Sequence, residues 1–117
     1  MNHVLLGASL PFLVAVAVYA RRRFRMGLPG LIVTPLAMAA FGLWADAPDL
    51  PRIVGLHGLY LKLSLDPRMN VFFWHYAIDQ IETDSPWYTA GIALMAAALL
   101  AAALRELRLR DRTEGGR

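Results

Sequence analysis

Three runs of the chain carry no charged residue: Val4–Ala20, Leu28–Trp44 and Tyr88–Leu104, each 17 residues long. As a helix, rising about 1.5 Å per residue, such a run covers roughly 25 Å, just short of a hydrocarbon core of about 30 Å. Flanking Trp, Tyr and Arg extend it by snorkelling. A chain of 117 residues that is 57% hydrophobic and only 18% charged cannot bury that apolar surface in a core of its own. The three runs are therefore predicted to be transmembrane helices, spanning about 4–20, 28–44 and 88–104, of an all-α integral membrane protein, and a water-soluble enzyme is excluded. The first run does not read as a secretory signal, because Met1–His3 lacks Lys and Arg and the arginines follow the apolar stretch. The absence of cysteine excludes disulfides, thiolate metal sites and a cysteine nucleophile.

The charges orient the spans. Arg21, Arg22, Arg23 and Arg25 lie between the first two runs with no acid among them, and Arg105, Arg108, Arg110, Arg112 and Arg117 follow the third. Both segments are expected in the cytoplasm, the second as a basic tail over 105–117. The 43-residue connection 45–87 carries Arg52, Lys62 and Arg68 against Asp46, Asp49, Asp66, Asp79, Glu82 and Asp84. It is expected outside with the N-terminus, in a multi-pass protein of the cell (inner) membrane. The net charge of +3 then reports topology, and no nucleic acid partner is implied. Pro11 and Pro35 read as ordinary membrane-helix prolines. Ala93, Ala97 and Ala101 form a small-residue stripe on the third span, a packing face for a helix of this chain, of a second copy or of a partner.

The external connection is too long for a passive loop. Pro48 and Pro51 fix a turn, Ile53–Leu65 reads as one short interfacial helix, and Asp66-Pro67-Arg68 breaks it. With Asn70 as N-cap, Val71–Glu82 reads as a second. At about 100° per residue, His75, Asp79 and Glu82 fall in a stripe roughly 60° wide on an otherwise apolar helix, which points them at a polar cavity. His and Asp at i and i+4 can offer a ring nitrogen and a carboxylate oxygen to one divalent cation, zinc first among them. A His75–Asp79 hydrogen bond between two part-buried groups accounts for the same spacing. All three histidines fall on the external side, and His3, Asp49, His75 and Asp79 lie near the outer ends of spans, where they can converge. Asp46 and Asp49 share a rigid turn that can aim one or both inward. His57 reads as a packing histidine rather than a ligand.

Taken in order, Asn-His-Val-Leu-Leu-Gly-Ala at 2–8, Pro-Asp-Leu-Pro-Arg at 48–52 and His-Tyr-Ala-Ile-Asp at 75–79 resemble the YdjM-like membrane-bound metal-dependent hydrolases. The turn at 48–51 lacks that family's second Asp, and its His-Arg-x-x-Thr-His signature is absent. The resemblance implies a metal held by His3, Asp49, His75 and Asp79. Hydrolysis by a metal-polarised water would then take Glu82 or Asp84 as base, with Arg52, Lys62 or Arg68 for an anionic head group. A site embedded in the outer face implies a phospholipid or lipid-linked phosphate as substrate. A second reading, from a different class, is a non-catalytic membrane subunit that docks a partner helix, or another copy, through Ala93, Ala97 and Ala101.

Overall fold

The computed structural model describes residues 2–81 and 85–114, and among them every regular element is helical. The elements are α1 (Asn2–Arg21), α2 (Leu28–Ala45), α3 (Leu50–Ile53), α4 (His57–Ser64), α5 (His75–Asp79) and α6 (Pro86–Glu114), with 3-10 turns at Ala47–Asp49 and Pro67–Val71. Helices α1, α2 and α6 are long and apolar enough to cross a membrane. Little of their apolar stretches is buried within the protein, 22%, 17% and 11% respectively. Among the described residues the buried hydrophobic side chains include only Ala8, Ala15, Met26, Ala45 and Met95 besides Pro48, while Leu13, Val33, Leu36 and Leu94 each stand more than 60% exposed. An exposed apolar surface of this extent suits a lipid solvent.

The central unit is the α1–α2 hairpin. Arg21 closes α1 where its cation suits the helix C-terminus, and the chain reverses through Arg23 and Phe24, both left-handed, at φ 53° and 62°. Gly27 caps α2, and Pro29 stands in its first turn, where no donor is needed. At the other end the two backbones nearly touch. A Cβ on Gly7 would lie 2.3 Å from the Phe41 carbonyl oxygen, and one on Gly42 would lie 3.2 Å from Val4. Helix α6 lies on α1, where Leu5 covers Gly91 at 3.0 Å from where a Cβ would stand. At the far end Glu106, buried, accepts the Met26 N–H at 2.7 Å, and Arg105 donates to the Tyr19 hydroxyl at 3.4 Å.

Two expectations change. The third apolar run and the charged tail form one helix, α6, which at 29 residues is about 43 Å long and runs well past a hydrocarbon core. Leu, Arg and Glu are strong helix formers, so a change from apolar to charged residues does not end a helix. The connection is also more broken than two helices. Gly55, at φ +82°, separates α3 from α4, which therefore begins at His57 rather than Ile53. Asp66 caps the 3-10 turn by accepting from Arg68 N–H at 2.9 Å. Phe73 and Trp74 are left-handed, so the helix expected over 71–82 is reduced to α5, ending at Asp79. Trp74 rather than Asn70 is the N-cap of α5, though the Asn70 side chain accepts the Ala77 N–H at 3.0 Å. Two leucines of α4, Leu59 and Leu61, are exposed, while Leu63 is half-buried.

The glycine contacts give a paired prediction. Gly7→Ala forces α1 away from the α2 backbone and is expected to destabilise by about 1–3 kcal/mol. Gly58→Ala, with nothing within 4 Å of its added Cβ, is expected to be neutral or to stabilise α4 by up to about 1 kcal/mol. Thermal unfolding of the two variants in one detergent checks both, and equal Tm values would contradict the tight α1–α2 contact.

Candidate metal centre

The α1–α2 contact determines what meets at this end of the hairpin. His3 stands one turn before Gly7, on the first turn of α1, and is 3% exposed. Asp49 ends the 3-10 turn in which Pro48 is buried and the Asp49 N–H bonds back to the Asp46 carbonyl at 3.0 Å. The connection then returns and is anchored on α2 by aromatic contacts, Phe72 against Trp44 at 4.8 Å and Phe73 against Phe41 at 5.8 Å between ring centroids. The left-handed pair Phe73–Trp74 turns the chain sharply there and presents α5 with His75 inward, fully buried. The His75 ring stacks on His3 at 3.8 Å with 25° between planes.

His3, Asp49, His75 and Asp79 are thus brought together. Ligand atoms of His3, Asp49 and His75 lie within 4.8 Å of one another. Asp79 spans the two rings: its Oδ1 is 2.7 Å from His3 Nε2, and its Oδ2 is 3.4 Å from His75 Nε2. Asp49 Oδ1 lies 3.5 Å from the same His75 nitrogen. Asp46 contributes its backbone carbonyl to the turn rather than its carboxylate to the cluster. His57 is exposed at the start of α4, so it does not pack as expected. Glu82 and Asp84 lie outside the described residues.

The chemistry of the cluster follows from His75. Its Nδ1 lies 2.9 Å from the Ala45 carbonyl oxygen. A carbonyl only accepts, so Nδ1 carries a proton and Nε2 is the nitrogen aimed at the carboxylates. Nε2 is buried and makes no well-formed hydrogen bond, since its contacts with Asp49 and Asp79 are long. A neutral ring would direct a lone pair at two carboxylates, which is repulsive. Two states relieve this: a proton on Nε2, or a cation between ring and carboxylates. The two His75 distances have the spacing of the second, because two atoms each about 2 Å from a tetrahedral ion stand about 3.3 Å apart, whereas His3 Nε2 and Asp79 Oδ1, at 2.7 Å, make a hydrogen bond. The Ala45 carbonyl is the kind of partner that orients a metal-binding imidazole from behind. Two imidazoles and two carboxylates form a donor set suited to zinc.

Without a cation, the electrostatics favour the protonated ring. Burial pushes the His75 pKa down, but the Asp49 carboxylate beside Nε2, the Ala45 carbonyl on Nδ1 and the charge of Asp79 outweigh it, leaving the pKa above the ordinary 6.5. Burial likewise pushes Asp49 up. It is outweighed by the His75 ring and by the charges of His3 and Arg52, leaving the carboxylate below its ordinary 3.8. Arg52, exposed, lies over the Tyr60 ring at 5.7 Å and brings a cation to this rim.

Two participants were not among the residues expected at the site: the Ala45 carbonyl and Gly7. The first is one of the last four carbonyls of α2, which lack intrahelical donors, so the end of α2 itself signals an available acceptor. The second is visible only as a glycine inside an apolar run. Comparison with family models, curated proteins and solved structures finds no match for this chain.

A pH prediction follows. The contribution of a raised His75 is complete below 6.5 and is lost as the pH climbs through its folded pKa. That of a lowered Asp49 is present above 3.8 and is lost as the pH falls through its folded pKa. In chelator, the Tm difference between the native chain and Asp49→Asn is therefore expected to be greatest between 3.8 and 6.5 and to shrink at alkaline pH. A difference that grows with alkalinity would contradict the charge pairing.

Proposed function

We propose that the chain is a small membrane-bound metal-dependent hydrolase whose divalent ion, zinc in the first instance, is held by His3, Asp49, His75 and Asp79. The observation that carries this reading is the buried Nε2 of His75. Its tautomer is fixed from behind by Ala45, and it faces two carboxylates at the spacing of a coordination tetrahedron rather than of hydrogen bonds. The order of the short motifs around His3, Asp49 and His75–Asp79, which resembles the YdjM-like hydrolases, supports the same reading. Such an ion supplies Lewis-acid activation of water and charge for an anionic leaving group.

The chain's own groups supply the remaining functions. Arg52, whose charge already reaches Asp49, binds the anionic part of a substrate at the rim. Glu82 and Asp84, three and five residues beyond Asp79, are the nearest candidates for the base. The site lies at the end of the hairpin away from the arginine turn, with the N-terminus outside, so the substrate is a phospholipid or lipid-linked phosphate of the outer leaflet.

A second reading has its own observation. Ala93, Ala97 and Ala101 of α6 are all exposed, turned away from the α1 contact made by Gly91 and Met95. That open face suits a non-catalytic subunit that docks another helix, or a homo-oligomer.

Metal analysis of the purified protein, followed by hydrolysis of a lipid phosphate ester, distinguishes the readings. The native chain is expected to carry about one divalent ion. His75→Ala and Asp79→Asn are expected to lower its affinity at least about ten-fold, the scale of a lost ligand or orienting partner. Asp66→Asn, which keeps a capping side chain at an exposed turn, is expected to change nothing. Metal content indifferent to both site substitutions would remove the hydrolase reading. Metal bound without hydrolysis would favour the subunit.

A further inference from the structure

A second feature lies between the same two helices, toward the opposite end. Beyond the Gly7 contact, α1 and α2 leave between them a groove of about 470 Å³, open on one side and lined by apolar side chains that include Leu10, Val14, Val33 and Phe41. It runs from Gly27 to Phe41, about 21 Å along α2, longer than the roughly 15 Å half-thickness of a hydrocarbon core. No residue of α6 lines it, because α6 packs elsewhere on α1, against Phe12 and Val16. Its mouth is different in kind. Arg22 and Arg25 line the end of the groove at the hairpin turn, and both are exposed. Glu106, the carboxylate nearest this turn, already accepts the Met26 N–H.

We propose that this groove holds an acyl chain of an anionic phospholipid, with the headgroup phosphate on Arg22 and Arg25. The walls require an apolar occupant and the mouth requires an anion, and one phospholipid molecule supplies both. The start of α2 favours the same headgroup. Gly27 makes no side-chain cap and the first turn holds no acid, so the positive end of the helix is not neutralised there. Within the groove Thr34 is 7% exposed, and its hydroxyl makes no hydrogen bond among the described residues, leaving a donor for an ester oxygen or a water accompanying the lipid. A second copy of the chain fits less well, since a parallel copy brings its own arginines to the same level. The arginine mouth lies about 29 Å from His3 along α1, at the opposite end of the hairpin from the metal centre, so headgroup binding does not depend on that centre.

The test is lipid retention. The native chain is reconstituted with equal parts phosphatidylglycerol and phosphatidylcholine, re-extracted in detergent, and its retained lipids are weighed by mass spectrometry. Phosphatidylglycerol is expected to be enriched by about five-fold for each arginine engaged. Arg22→Gln/Arg25→Gln, at exposed positions that leave the fold intact, is expected to abolish the enrichment. Ala37→Phe, which fills the groove and keeps the arginines, is expected to lower retention of both lipids with helicity unchanged. Excess inorganic phosphate is expected not to displace the lipid. Equal retention of the two lipids by the native chain, or enrichment that survives the arginine changes, would overturn the proposal. So would an Ala37→Phe protein that changes oligomeric state while retaining its lipid, because a second copy would then occupy the groove.

Discussion

The backbone contact of α1 with α2 at Gly7 is the constraint on which the rest of the protein depends. Helices α1 and α2 bury little of their apolar surface within the protein, so the exclusion of water contributes little to their pairing. Close van der Waals approach must hold them. Glycine at 7 and 42 and alanine at 45 remove the side chains that would keep the axes at ordinary separation. His3, one turn before Gly7, is thereby carried to the end of α2, where the chain leaves the helix. The pairing of His3 with His75 is a consequence of that approach, as is the access of His75 to the Ala45 carbonyl.

The connection between α2 and α6 completes the site at some conformational expense. Left-handed backbone at Phe73 and Trp74 costs on the order of 1 kcal/mol for each residue without a glycine to absorb it. Three features offset it: the stacking of Phe72 and Phe73 on α2, the hydrogen bond of the Asn70 side chain to α5, and the burial of His75 with a satisfied Nδ1. The turn between α1 and α2 uses the same left-handed pair at Arg23 and Phe24, so in both places the step serves to reverse the chain sharply. A straight helix over 71–82 would relieve the strain and lose the anchoring that places Asp79 against His3.

The three helices long and apolar enough to span a membrane were legible because absence of charge over 17 residues is a one-dimensional property, independent of what packs on what. The meeting of His3, Asp49, His75 and Asp79 was legible for a related reason. Once the arginine turn takes one side of the hairpin, the residues at its other end have few places to go. Less of the connection could be read. A left-handed Phe-Trp step carries no propensity signal, and the break at Gly55 competes with an apolar run that reads as continuous helix. The end of α6 was hidden by the opposite error, in which charge was read as a boundary although Arg, Glu and Leu prolong a helix. The Glu106–Met26 bond was equally hidden, because one of three acids among five arginines reads as solvated charge until a backbone donor is found beside it.

The two ends of the α1–α2 hairpin differ in electrostatic sense, and α2 is the reason. Its N-terminus, uncapped by any side chain, lies at the arginine turn, so helix dipole and side chains there both favour an anion. Its C-terminus ends in the Ala45 carbonyl, which accepts from His75, so dipole and carboxylates there both favour a cation, whether the proton on Nε2 or a metal. One helix thus polarises both ends of the hairpin, and the sign at each end follows from chain direction before any side chain is counted. The side chains then agree with it at both places: Arg22 and Arg25 at the start of α2, where the one neighbouring acid, Glu106, is taken up by the Met26 N–H, and Asp49 with Asp79 at its end. Reversing that agreement at one end, by placing carboxylates at 22 and 25, would set side chains against the dipole while leaving the apolar contact at Gly7 intact. The packing of the helix pair and the charge at its ends are therefore separable properties of this fold.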